Sequence, residues 1–308
     1  MITKPIPMPT DPEVLRFIEE TDAVYPAEAN TASAEDSRYY YDLLCDAFRK
    51  PRPDGVETVD EEVEGVPVRH YRLLGGDPSG CILYLHGGGF VVGSLESHDD
   101  VCAELCDQTG FDVVAADYRL APEHVYPDQL DDTHAVWTFV QERYQKTVVA
   151  GDSAGGNLAA ALCLRMRRLG GPMPGGMVLI YPGLGGDKSL DSYTENANAP
   201  MLSTRDCHFY FDLYSGSDQD KVQTDPELAP LQAAEFSGLP PTFVVSADID
   251  PLRDDGRVFV ERLQETGQFA EWRNEPELVH GYLRARHSSK RARESFTAIC
   301  DMVTRFMV

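Results

Sequence analysis

Two glycine-rich strings carry the chemistry legible in this chain. Gly151-Asp152-Ser153-Ala154-Gly155-Gly156 is a G-x-S-x-G, and His86-Gly87-Gly88-Gly89-Phe90 lies upstream of it. A serine hydroxyl is a poor nucleophile unless a base stands beside it. Its oxygen must also stand clear of the backbone so that a carbonyl carbon can approach. A sharp turn between a strand and a helix achieves this, and only small flanking residues fit there. Gly151, Ala154, Gly155 and Gly156 supply them, with an apolar run over 147–150 before the turn and a helical pattern after it. Ser153 is therefore the candidate nucleophile. Attack on a carbonyl puts negative charge on its oxygen, which preorganised backbone N–H groups stabilise. The N–H groups of Gly87, Gly88 and Ala154 are expected to converge there. His86 is expected to orient the glycine loop rather than to carry a proton.

These residues need a scaffold, and the chain supplies a repeating one. Residues 12–52 carry helical periodicity and stop at Pro51-Arg52-Pro53. Residues 63–69 and 70–74 alternate like two strands joined by a tight turn. Strands are then expected at 81–85, 111–116, 147–150, 177–181, 242–247 and 270–273. Helices are expected at 98–109, 130–144, 154–169, 257–265 and 288–306. Such alternation implies a mostly parallel sheet with helices on both faces. The rhythm breaks between Gly183 and Leu239, where 206–214 is aromatic-rich and helical. One domain over 1–308 is expected, with segments of about 1–52 and 184–225 capping the carboxyl end of the sheet.

Composition narrows the function classes. The 308 residues hold 51 acids against 27 Lys and Arg, a formal net charge of −24. That balance opposes nucleic acid and anionic membrane surfaces as partners. No window reaches the roughly 18 unbroken apolar residues of a membrane helix. Residues 1–14 are proline-rich and lack the apolar stretch of a signal peptide, so a cytoplasmic location is expected. The seven cysteines include no C-x-x-C pair, and Cys102 and Cys106 stand one turn apart, which suits a buried helix face. Histidine spacing offers no metal site, and the serine chemistry requires no cofactor.

A strand–serine–helix turn of this kind belongs with a chain order of Ser, then Asp or Glu, then His. His280 and His287 are the histidines after the last strand signals. His280 lies in a loop before Gly281. His287 opens a charged helical stretch, where a solvated position is expected, so His280 is chosen as the base. The acid should follow the 242–247 strand, where Asp248, Asp250, Asp254 and Asp255 all stand. Asp254 and Asp255 suit a helix N-terminus. Position alone does not separate Asp248 from Asp250.

The chain resembles the hormone-sensitive-lipase-like esterases of the α/β-hydrolase fold, the group of bacterial acetyl esterases and arylacetamide deacetylases. The resemblance runs from about His86 to Tyr282. It rests on His86-Gly87-Gly88-Gly89-Phe90, the string from Asp117 to His124, Gly151 to Gly156, Asp250 to Gly256, and His280-Gly281-Tyr282. It implies a triad of Ser153, Asp250 and His280, a carboxylesterase acting on small ester substrates with short acyl chains, and no cofactor. The family's frequent pairing through an edge strand leaves room for a homodimer, without a sequence signal of its own. Two departures are expected to alter the wall of the site. Tyr282 stands where the family has Phe, and Glu277-Leu278 follows Pro276 where the family has Pro-Gly. An amidase or deacetylase with the same triad is the enzymatic alternative. A small-ligand receptor on this fold would lack the catalytic histidine, and His280 is present.

Overall fold

The computed structural model describes residues 7–26, 29, 33–216 and 218–308. Its strands are β1 (Val56–Val63), β2 (Val66–Leu73), β3 (Asp77–Leu85), β4 (Phe111–Ala116), β5 (Lys146–Asp152), β6 (Gly176–Ile180), β7 (Thr242–Ile249) and β8 (Ala270–Val279). They form one sheet in the order β1-β2-β4-β3-β5-β6-β7-β8. β1 and β2 pair antiparallel with each other, and β2 pairs antiparallel with β4. From β4 to β8 every pairing is parallel. The first hairpin differs from its expected register. Its turn falls at Glu64-Gly65, both at positive φ, so the opening strand begins at Val56. The acids of β1 hid it, because most of that edge strand faces water.

Helices cover both faces, as parallel strands require. On one side lie α4 (Asp128–Arg143), α5 (Ala154–Leu169) and α9 (Arg253–Glu265). On the other lie α3 (Asp99–Thr109) and α10 (Lys290–Phe306), joined by α1 (Pro12–Val24) and α2 (Ala34–Phe48). Successive strand residues divide between the two cores, as a period of two demands. In β5, Val149 packs with Leu158, Leu162 and Phe259, while Val148 and Ala150 pack with Val101, Leu105 and Phe296. Cys102 and Cys106 are buried on α3. Three shorter helices, α6 (Asp191–Glu195), α7 (Thr204–Ser215) and α8 (Gln219–Thr224), fill the stretch where the rhythm broke.

Two fastenings fix the elements around the site. A Cβ on Gly155 would stand 1.9 Å from the Leu85 carbonyl, so glycine there lets α5 approach the end of β3. At the other fastening, the Glu277 carboxylate, held by a backbone at φ 69°, accepts the N–H groups of Thr10 and Asp11 at the mouth of α1. Arg291 of α10 adds an ion pair to Asp11 at 2.8 Å. The departure at Glu277 thus anchors α1 rather than forming a wall of the site. No helix among the described residues is long and apolar enough to cross a membrane.

Candidate active site

Ser153 sits between the last residue of β5 and the first of α5. Its backbone is held at φ 53°, ψ −116°, a conformation that L-residues avoid and that the surrounding packing must impose. The strain lifts the side chain off the chain path. Its hydroxyl donates to His280 Nε2 at 2.9 Å. The other ring nitrogen, Nδ1, donates to Asp250 Oδ2 at 2.7 Å. Asp250 follows β7 and is fully buried, and its second oxygen accepts the Leu252 N–H at 2.8 Å. His280 follows β8 directly, with its ring edge-on to Tyr181.

The structure also separates the acids that position left together. The Asp248 carboxylate accepts Asn274 Nδ2 at 2.8 Å and so ties β7 to β8. Asp254 and Asp255 open α9, as expected. Asp255 accepts the N–H groups of Leu184 and Gly186 and thereby shapes the loop after β6. His287 is half exposed and pairs with Glu104 at 2.7 Å.

The glycine loop requires one correction. Gly87 N–H is already spent, donating to Asp152 Oδ1 at 2.9 Å, so it does not face the cavity as an oxyanion donor. Gly88 and Gly89 line the same cavity as Ser153. Their N–H groups have no acceptor among the described residues. Gly88 has φ 126°, and a Cβ there would stand 2.1 Å from the Val92 carbonyl, so only glycine can make this turn. The Ala154 N–H is the first of α5 and has no intrahelical acceptor. Gly88, Gly89 and Ala154 are therefore the amides available beside the hydroxyl.

Asp152 is the functional residue that the sequence reading passed over. Its carboxylate accepts from Tyr84 Oη at 2.8 Å and from Gly87, stands 3.3 Å from His98 Nε2, and takes a longer contact from Tyr181. Burial pushes its pKa up, but His98 and Tyr84 outweigh burial and hold the carboxyl well below the usual range. The available signal was an acid placed inside an otherwise small-residue turn. His86 behaves as expected of a loop support. Burial lowers its pKa to about 4, so the ring is neutral. It stacks on Tyr118 at 4.3 Å, and its Nδ1 donates to Gly87 O at 2.8 Å. Tyr282 corrects a second expectation: it is buried behind the site, bonded to Ser295 and packed on Tyr181, and lines neither cavity.

Two cavities meet at Ser153. One, of about 580 Å³, is lined by Gly88, Gly89, His280, Tyr41 and Arg284. The other, of about 590 Å³, is lined by Gly89, Ala154, Phe90, Phe211 and Leu252. α1 and α2 contribute Thr21, Leu44 and Tyr41 to the first, and α7 contributes Tyr210 to both.

Comparison with known proteins agrees with this architecture. A family described as "alpha/beta hydrolase fold" matches residues 82–284. The carboxylesterase NlhH of Mycobacterium tuberculosis is 41% identical over 239 residues, covering 75% of this chain and 73% of that one. The ethyl acetate hydrolase of Pseudomonas putida is 28% identical over 316 residues, covering 96% and 98%. A crystal structure of an esterase from the bacterial hormone-sensitive lipase family superposes with a TM-score of 0.88 at 27% identity, covering 98% of this chain and 100% of that one. The chain belongs to the alpha/beta-hydrolase family and, within it, to the hormone-sensitive-lipase-like esterases.

Proposed function

We propose that this protein hydrolyses short-chain carboxylic esters through an acyl-enzyme on Ser153. One observation carries the reading: the path from Asp250 through His280 to the Ser153 hydroxyl is unbroken and ends in a cavity beside amides with no acceptor among the described residues. His280 Nε2 takes the serine proton as the oxygen attacks the ester carbonyl. Asp250 keeps Nδ1 protonated, so Nε2 is the basic nitrogen, and stabilises the imidazolium that forms. The Gly88, Gly89 and Ala154 amides hold the oxyanion. His280 then protonates the departing alkoxide, and a water that it activates releases the acid.

α1, α2 and α7, from the segments at about 1–52 and 184–225, serve as the cap that closes the cavity within a single domain over 1–308. Short acyl chains are supported by the ethyl acetate hydrolase relative. A p-nitrophenyl ester series tests this. kcat/KM is expected to be highest between acetate and butyrate and to fall as the chain lengthens. A maximum at dodecanoate would contradict the short-chain assignment, and no turnover of any member would contradict the esterase reading.

A further inference from the structure

Arg284 is a cation in the active-site cavity that makes no ion-pair contact with a carboxylate among the described residues. It follows His280 by one turn, its N–H donating to Gly281 O at 3.2 Å. Its guanidinium Nη2 donates to Tyr41 Oη at 2.7 Å and to Cys45 Sγ at 3.2 Å. Burial pushes both the Tyr41 phenol and the Cys45 thiol up, so both partners are neutral. Nε is buried with no acceptor among the described residues. The other deep arginines are neutralised. Arg286, two residues on, meets Asp100 at 2.6 Å and Glu104 at 2.8 Å. Arg69 meets Asp60, Glu96 and Asp99, and Arg165 meets Asp131 and Glu227. A guanidinium stays charged at any working pH, and a buried charge without a counterion is costly.

None of the acids lining the same cavity hydrogen-bonds Arg284, although its charge reaches Asp152 across space and helps to keep that carboxylate ionised. Asp152 is occupied by Tyr84, Gly87 and His98. Asp206 is taken by the Ser203 N–H and hydroxyl in the cap of α7. Asp22 is exposed at the rim. Arg284 is the only Lys or Arg among the cavity's described lining residues.

The side of the site follows from proton transfer. His280 lines the Arg284 cavity and not the other one. The imidazole must protonate the leaving oxygen, so the alcohol portion of the substrate lies on the His280 side. We propose that Arg284 is an anion subsite, and that the favoured substrates are esters whose alcohol portion carries a carboxylate. The proposal rests on the esterase reading above. The guanidinium Nη1, which neither Tyr41 nor Cys45 uses, can give a carboxylate a charge-assisted hydrogen bond about twice as strong as one to a neutral group.

The test compares 3-acetoxybenzoate with its neutral methyl ester, each rate divided by that of hydroxide-catalysed hydrolysis, and adds the monophenyl ester of succinate as the acyl-side control. Wild type is expected to favour 3-acetoxybenzoate over the methyl ester by about tenfold or more in kcat/KM, mainly through KM. In Arg284→Met the ratio is expected to fall to unity or below, and in Arg284→Lys to an intermediate value. A wild-type ratio of one or less would overturn the proposal without any variant. So would a ratio that survives Arg284→Met, or a preference for the succinate ester. Turnover of the neutral methyl ester reports on the esterase reading separately.

Discussion

Two Asp–His pairs flank the Ser153 turn, and they do different work. Asp250 and His280 meet at 2.7 Å, and Asp152 and His98 stand 3.3 Å apart. The difference lies in what the second ring nitrogen faces. His280 Nε2 meets the Ser153 hydroxyl, whereas His98 Nδ1 meets Ser97 Oγ, whose own proton goes to the Ser94 carbonyl. The first pair therefore opens onto a reacting atom, and the second ends in backbone. The spare capacity of Asp152 goes to the Gly87 N–H, which makes it the strut of the glycine loop. Carboxylate–imidazole chemistry alone does not assign a catalytic role; the far side of the imidazole does.

The strongest break of this comparison is Ser153→Ala, expected to cut turnover of p-nitrophenyl acetate by roughly 10⁴-fold or more while leaving the melting temperature close to wild type. Residual activity near wild type would remove Ser153 from the mechanism. Asp250→Asn comes next, with a loss of about 10³- to 10⁴-fold in kcat, because an amide no longer enforces the tautomer in which Nε2 accepts. The strut should cost less. Asp152→Asn is expected to lower kcat by about 10- to 100-fold with little change in KM, since the oxyanion amides shift but the proton path remains. A loss as large as that of Asp250→Asn would erase the distinction between the pairs.

A third carboxylate sharpens the contrast through pH. Asp255 has no cation beside it among the described residues, and burial pushes its pKa up to about 7, against the N–H groups of Leu184 and Gly186. Its folded pKa lies above the unfolded value of about 3.9. The folded state therefore binds the extra proton, and the stability this confers is present below about pH 4 and lost as pH rises through 7. Between pH 5 and 8 the melting temperature of wild type should fall more than that of Asp255→Asn. Equal slopes would show that Asp255 is already ionised at pH 5.

The elements were legible where periodicity was strong. The helix at 154–169 lies where the pattern predicts it, and β4 does as well, because each is a largely apolar run buried along nearly its whole length. β1 was not, since its exposed acids carry no alternation. The site was legible in Ser153 and His280, whose neighbours are unusual in type and order. Asp250 and Asp248 look alike by position, because both come after the 242–247 strand signal; the family resemblance points to Asp250, and the partners in the fold separate the two, with Asp248 inside β7 and tied to Asn274. Gly87 was misread because three adjacent glycines conceal which amide turns inward, and the Asp152 carboxylate that claims the first lies 65 residues away. Arg284 was invisible as a site residue, because its place in the cavity with no carboxylate in contact is a property of the folded chain alone.

The most direct test of the account is the rate of fluorophosphonate labelling, with the adduct located by mass spectrometry, in wild type, His280→Ala and His98→Ala. The expected result is a single adduct on Ser153, slowed by about 10³-fold or more in His280→Ala and by no more than about tenfold in His98→Ala. Labelling at another residue, or equal slowing in the two histidine variants, would contradict it.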